Sequence, residues 1–205
     1  MNEKEKMRIK LAIAGEFQDG KSTLINALCG CDCAEVGYGI DTTSEVHEYP
    51  IPGTDIILLD TPGFNANNKD SVQASQGIAQ ADVCMYMLSN TQFTTRMFSE
   101  MKTALTLPSG HYKPLIPIIN DRDKNNHAIA RNSVAQMKTL GLNPILFGDS
   151  IPVIHALAWR KGKVMEEEHE LGMRRIKYLL GIEPRISVSP LARICYLHYI
   201  IHNHV

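Results

Sequence analysis

Eight residues, Gly15-Glu16-Phe17-Gln18-Asp19-Gly20-Lys21-Ser22, form a G-x-x-x-x-G-K-S string between two segments of different periodicity. Before it, residues 9–14 make a short apolar run suited to a buried strand. After it, residues 21–28 carry apolar side chains at helical spacing. A chain with this order turns sharply from strand into helix, and its glycines let the backbone bend so that successive N–H groups point inward. Backed by the positive end of the following helix, such a concavity binds a polyphosphate. Lys21 then reaches the outer phosphates, and the Ser22 hydroxyl ligates magnesium. Without a ligand, the same string is a glycine turn between a strand and a helix.

The rest of the chain repeats that alternation. Apolar runs at residues 9–14, 56–59, 83–88, 115–119 and 151–154 read as buried strands. Helical segments are expected at 21–28, 71–79, 95–105, 128–140 and 164–180. Strands alternating with helices predict an α/β fold in three layers, a mainly parallel sheet with helices on both faces. Residues 45–49 alternate weakly and lead into Pro50 and Pro52. They are expected to form one antiparallel edge strand, turning at Pro52-Gly53 onto the strand at 56–59. Residues 1–183 are thus expected to form one domain. Residues 184–205 are read as a linker and an apolar helix, since two prolines precede a segment apolar around most of its circumference.

Composition supports an ordinary globular domain: 205 residues, 44% hydrophobic and 21% charged. A formal net charge of -1 offers no general attraction to nucleic acid or anionic lipid. Residues 1–10 are charged and lack an apolar secretory core, and no stretch approaches a bilayer-spanning length, so a cytoplasmic location is the expectation. Five cysteines, an odd number, suit reduced thiols better than a disulfide framework. Cys29, Cys31 and Cys33 cluster after the first helix, but a closed zinc site wants a fourth ligand, and small residues at a helix end are the better reading. His198 and His202 stand one helical turn apart without the glutamate of a zinc protease motif, and a frayed helix is expected there. Arg160, Lys161 and Lys163 beside the acids at 166–168 read as a solvated helix start, and His111 and Trp159 as packing or surface.

Three further strings fall at the carboxyl ends of predicted strands, where an open sheet presents its ligand. Asp60-Thr61-Pro62-Gly63 delivers a carboxylate able to hold a magnesium-bound water and a Gly63 N–H able to meet a terminal phosphate oxygen. Between this string and the phosphate loop lies Asp41-Thr42-Thr43-Ser44, where a threonine, Thr43 in preference to Thr42, can close over the metal. Asn120-Asp121-Arg122-Asp123 places a carboxylate, Asp123, that can accept from two N–H donors on a guanine edge, while Asn120 braces the loop. His155-Ala156-Leu157 follows the last strand and offers the Ala156 N–H to the guanine carbonyl.

This ordered set resembles the translation-factor-related GTPases, particularly the Era-like and bacterial dynamin-like branch, over residues 8–180. The resemblance implies a P-loop NTPase G domain that binds GTP or GDP with magnesium and hydrolyses GTP. It places Gln18, Asp19, Gly20, Lys21, Ser22 and Thr23 around the phosphates. Ser22, Thr43 and Asp60 would serve the metal, Lys21, Thr43 and Gly63 the reaction, and Asn120, Asp123, His155 and Ala156 the base. It also implies a homodimer through the nucleotide face, and a ribosome or a membrane as partner. Four positions depart from the pattern: Asp121 replaces a lysine, His155 a serine, Gln18 the asparagine of potassium-activated relatives, and Phe64 follows Gly63 where a water-orienting glutamine is usual. Slow turnover is expected from the last. The competing readings are a nucleotide-binding interaction module with little hydrolysis and an ATPase, the latter opposed by Asp123.

Overall fold

The computed structural model describes residues 8–37, 45–64, 68–89, 92–121, 126–147 and 150–182. Thr43, Asp123, His198, His202 and residues 184–205 therefore lie outside the described residues.

Strands β1 (Ile9–Gly15), β2 (His47–Pro50), β3 (Ile56–Asp60), β4 (Val83–Leu88), β5 (Leu115–Asn120) and β6 (Val153–Ile154) form one sheet in the order β2-β3-β1-β4-β5-β6. Only β2 runs antiparallel, paired His47 to Asp60 and Pro50 to Ile57. The helices are α1 (Lys21–Cys29), α2 (Asn68–Gln80), α3 (Thr95–Leu105), α4 (Asn126–Thr139), α5 (Ala156–Arg160) and α6 (Glu167–Leu179).

Side chains alternate between two cores because successive residues of a strand point to opposite faces. From β1 and β4, Ala12, Ala14, Cys84, Tyr86 and Leu88 join Ala74, Ile78, Met97, Met101 and Met137 of α2, α3 and α4. The intervening Leu11, Ile13, Val83, Met85 and Met87 join Leu24, Ile25, Met173 and Ile176 of α1 and α6. A strand buried on both faces has no polar positions, which is why these segments appear in the sequence as continuous apolar runs.

Strand β6 is shorter than residues 151–154. Pro152 has no N–H to donate, so it contributes only its carbonyl, to Ile119 N at 3.0 Å, and the ladder begins at Val153. Helix α6 starts at Glu167, not at 164; Glu167, Glu168 and Glu170 then occupy its first turn and Lys177 its last, matching the helix dipole. Among the described residues no helix is long and apolar enough to cross a membrane.

Candidate functional site

The carboxyl ends of β1, β3, β4, β5 and β6 meet on one edge of the sheet. Strand β1 lies between β3 and β4, so the connections leave it in opposite directions and open a crevice at its end. The string 15–22 occupies that crevice. Gln18 holds a φ of 64°, a left-handed conformation uncommon for a residue with a side chain, and Gly20 follows at 93°. Backbone held in this way clusters at active sites and ligand clamps.

Lys21 is buried, and its ammonium donates to the Glu16 carbonyl at 2.9 Å, closing the loop on itself. Asp19 is also buried, with Oδ2 accepting from the Glu16 N–H at 2.8 Å and Oδ1 from the Ser89 hydroxyl at 2.6 Å. Its carboxyl is raised above the ordinary range by burial, against the pull of Ser89, Lys21 and the Glu16 N–H. Asp19 thus braces the loop from within. Thr23 is buried within α1, whose first residue Lys21 follows Gly20 as N-cap.

Across the crevice the Ser22 hydroxyl donates to Asp60 Oδ2 at 2.9 Å. Two oxygens of hard character so close together, one a buried carboxylate, fit a magnesium ion completed by phosphate oxygens and water. Beyond Asp60, Thr61 donates to the Ile13 carbonyl at 2.8 Å, fastening the start of this loop to β1. Phe17 N–H then donates to the Phe64 carbonyl, and Phe64 N–H to the Gly15 carbonyl, both at 3.1 Å. Gly63 lies between them, where a Cβ would come within 2.7 Å of Phe17 Cα. No side chain fits there. Phe64 is only 1% exposed, and its side chain belongs to the core.

Asn120, at the end of β5, is buried between two loops. Its amide Nδ2 donates to the Asp19 carbonyl at 2.8 Å and its Oδ1 accepts from the Ala156 N–H at 3.2 Å. The Ala156 N–H therefore faces Asn120 in this structure. His155 serves as N-cap of α5, its Nδ1 accepting from the Ala158 N–H at 3.2 Å. The next residue of β5's end, Asp121, turns inward to His169 of α6 at 2.7 Å. Residue-type patterns do not disclose His169, because it stands beside the acidic run at 166–168 and far from Asp121 in sequence.

Among the described residues no group of His, Cys, Asp and Glu side chains is arranged to hold a metal by itself, which includes Cys29, Cys31 and Cys33. The cysteines do mark a helix end and loop: Asn26 Oδ1 receives the Cys33 thiol at 3.5 Å and the Ala34 N–H at 2.7 Å. Arg160, expected in a solvated stretch, pairs through its Nε with Asp32 of this same loop at 2.6 Å.

Comparison with known proteins agrees with this fold. A family model described as 50S ribosome-binding GTPase matches residues 10–121. GTPase Der of Clostridium acetobutylicum is 26% identical over 165 residues, covering 77% of this chain and 35% of the relative. The tRNA modification GTPase MnmE of Rhizorhabdus wittichii is 34% identical over 87 residues, covering 38% of this chain and 20% of the relative. A crystal structure of Era in complex with MgGDPNP and a segment of 16S ribosomal RNA superposes with a TM-score of 0.56. Identity there is 25%, and the match covers 89% of this chain and 59% of that one. The chain thus spans 35% or less of the length of these two curated relatives.

Proposed function

Because the chain belongs to the 50S ribosome-binding GTPase family as an Era-like P-loop GTPase, we propose that it binds guanine nucleotide and hydrolyses GTP to GDP and phosphate, acting as a nucleotide-gated switch. The observation that carries this reading is the convergence of Lys21, Ser22 and Asp60 at the crevice, with Asn120 linking the phosphate loop to the base-recognition segment.

Hydrolysis transfers the terminal phosphoryl group to water in line with the bridging oxygen, and the leaving diphosphate takes up negative charge. Lys21 exchanges the Glu16 carbonyl for phosphate oxygens and offsets that charge. The N–H groups of Lys21, Ser22 and Thr23 at the start of α1 would supply neutral donors to the same oxygens. Ser22 and Asp60, joined by Thr43 in this reading, would hold magnesium, which would supply further charge neutralisation. The Gly63 N–H meets the terminal phosphate and reports its presence to the loop that follows. Asp123 reads the guanine base in this proposal, while the Ala156 N–H is taken by Asn120 and the His155 ring by the cap of α5. Related Era is bound to MgGDPNP, which supports both the nucleotide class and the ion.

With Phe64 packed in the core, the residue after Gly63 does not orient the attacking water. Intrinsic turnover is accordingly expected on the order of 10⁻³ s⁻¹, rising if a second copy or another macromolecule completes the site. A homodimer through the nucleotide face would make activity per molecule rise with protein concentration. Era's complex with 16S ribosomal RNA makes the ribosome the first partner to test and a membrane the second. The buried Phe64 also favours a second reading, a nucleotide-binding module that scarcely turns over.

Multiple-turnover phosphate release with GTP and with ATP, with and without magnesium, tests the proposal against a Lys21→Ala protein. Expected is magnesium-dependent release from GTP alone, reduced at least about 100-fold by the substitution. Tight GTP binding without turnover would favour the module, and equal use of ATP would remove the role assigned to Asp123.

A further inference from the structure

The structure assigns Cys31 and Cys33 as a reversible disulfide site, closed by exchange with a low-molecular-weight disulfide. The two cysteines stand in the loop that follows α1, and both are exposed. That loop folds back on its own helix over Asn26, which is 1% exposed. Asn26 Nδ2 donates to the Ala34 carbonyl at 2.9 Å, and its Oδ1 accepts from the Ala34 N–H at 2.7 Å and from the Cys33 thiol at 3.5 Å. The Cys33 thiol comes into hydrogen-bond contact with the thiols of both Cys31 and Cys29, the last residue of α1. Asp32, between the two exposed cysteines, is held by Arg160 of α5 at 2.6 Å. A loop pinned by a buried amide on one side and a guanidinium on the other keeps its two outer thiols together before any reagent arrives.

Exchange needs an accessible thiol to attack and a second thiol beside it. One exposed cysteine, as its thiolate, attacks a sulfur of the external disulfide RSSR. An S–S bond forms to the protein, and the departing RS⁻ takes up the proton that the cysteine gave. The other thiol then attacks the protein-bound sulfur and displaces the second RS⁻, so that two protein thiols and RSSR become one protein disulfide and two RSH. This second step is intramolecular, and proximity offsets the small thiolate fraction of Cys33, whose thiol is raised chiefly by burial. A thiol raised in this way is a poor leaving group, so the closed bond resists attack at Cys31 and opens only to excess RSH. Closure costs the fold little. Cys33 gives up one weak thiol contact, while Asn26 Oδ1 retains the Ala34 N–H. Cys29, half-buried at the helix end, is less open to the reagent and stands behind the reacting pair.

The test is incubation of the full chain with glutathione disulfide under native conditions, followed by N-ethylmaleimide quenching, trypsin and mass spectrometry. Trypsin leaves Cys29, Cys31 and Cys33 in one peptide, residues 22–69, apart from Cys84 and Cys195. In the wild type that peptide should lose two hydrogens and carry a single maleimide. Cys29→Ser should behave in the same way, whereas Cys31→Ser and Cys33→Ser should stop at the mixed disulfide with glutathione. The serine at 33 keeps a hydroxyl donor for Asn26. A wild-type peptide without an internal bond would overturn the assignment, as would an internal bond that survives in Cys31→Ser or Cys33→Ser, or a link to the peptide of Cys195. Should either serine variant fail to fold, the wild type decides by itself. The native chain should close at a ratio of oxidised to reduced glutathione at least about tenfold lower than the urea-unfolded chain, because only the folded loop holds the thiols together. Equal ratios would also overturn the assignment. None of these readouts passes through nucleotide, so the outcome stands apart from that of the GTPase reading.

Discussion

The side-chain amide of Asn120 donates to the main-chain carbonyl of Asp19 at 2.8 Å, across 101 residues of chain. Since the same side chain accepts from Ala156, Asn120→Ala leaves one carbonyl and one N–H without their partner. We expect a loss of about 2 kcal/mol, or about 4–8 °C in melting temperature. GDP affinity should fall more than about tenfold, because loops on both sides of the nucleotide are released. Scanning fluorimetry and nucleotide titration check both, and an unaltered melt would show that Asn120 does not support the fold.

Asp19 confers a pH dependence with a definite sign. Burial raises its carboxyl above the ordinary 3.8, so its ionisation costs stability. That cost is absent below the unfolded value and fully present once pH exceeds the folded one. Asp19→Asn keeps both contacts, its oxygen accepting from Glu16 and its amide donating to the Ser89 hydroxyl. The variant should melt higher than wild type at pH 7, with the gap closing as pH falls toward about 4. Without the negative charge, GTP should also bind about threefold more tightly at pH 7. A gap that widens on acidification would contradict burial as the cause.

Lys113 offers a purely structural test. Its ammonium donates to the carbonyls of Ile78, Ala79 and Ala81 at 2.9, 2.7 and 2.7 Å, closing the carboxyl end of α2 and the turn after it. Burial holds this ammonium below its ordinary range. Lys113→Met retains the stem and frees the three oxygens, at a cost of about 2 kcal/mol. Amide exchange should rise at residues 78–82, while GDP affinity stays within about twofold, since no phosphate-facing residue is touched.

The thiols should react in a fixed order. Cys84 is fully buried and its thiol is pushed up to about 12; Cys29 is half-buried and also raised to about 12. Cys31 and Cys33 are exposed, and burial is the chief cause that raises the Cys33 thiol. Among the four described cysteines, iodoacetamide at about pH 8 should therefore modify Cys31 and Cys33 before Cys29, and Cys84 only after unfolding. Peptide mass spectrometry reads the sequence of events. Early loss of Cys84 would mean that the face of β4 toward α2 and α3 is open.

The parts legible in the sequence are those set by local periodicity and by strings. Val83–Leu88 and Thr95–Leu105 match their expected bounds because each is a continuous apolar run or a capped amphipathic helix, with Thr94 accepting from the Met97 N–H at 3.3 Å. Ser22 and Asp60 are brought together because both motifs end strands on the same edge. The remainder depends on contacts that no local pattern encodes. Lys113 looks like any surface lysine until the end of α2 is placed above it. His169 looks like part of an acidic helix start until Gly172 seats α6 on β6. The single turn of α5 is too short for periodicity to register, although His155, its cap, stands out in the sequence for its place after the last strand.

Phe17 and Phe64 are sewn together through their backbones, with Gly63 pressed between them. The two segments that would embrace the outer phosphate are consequently geared to each other: neither can shift without shearing the stitch or hauling its companion along. Any signal raised by a departing phosphate would then pass through Phe64 into the packed interior rather than ending in a loose flap at the surface.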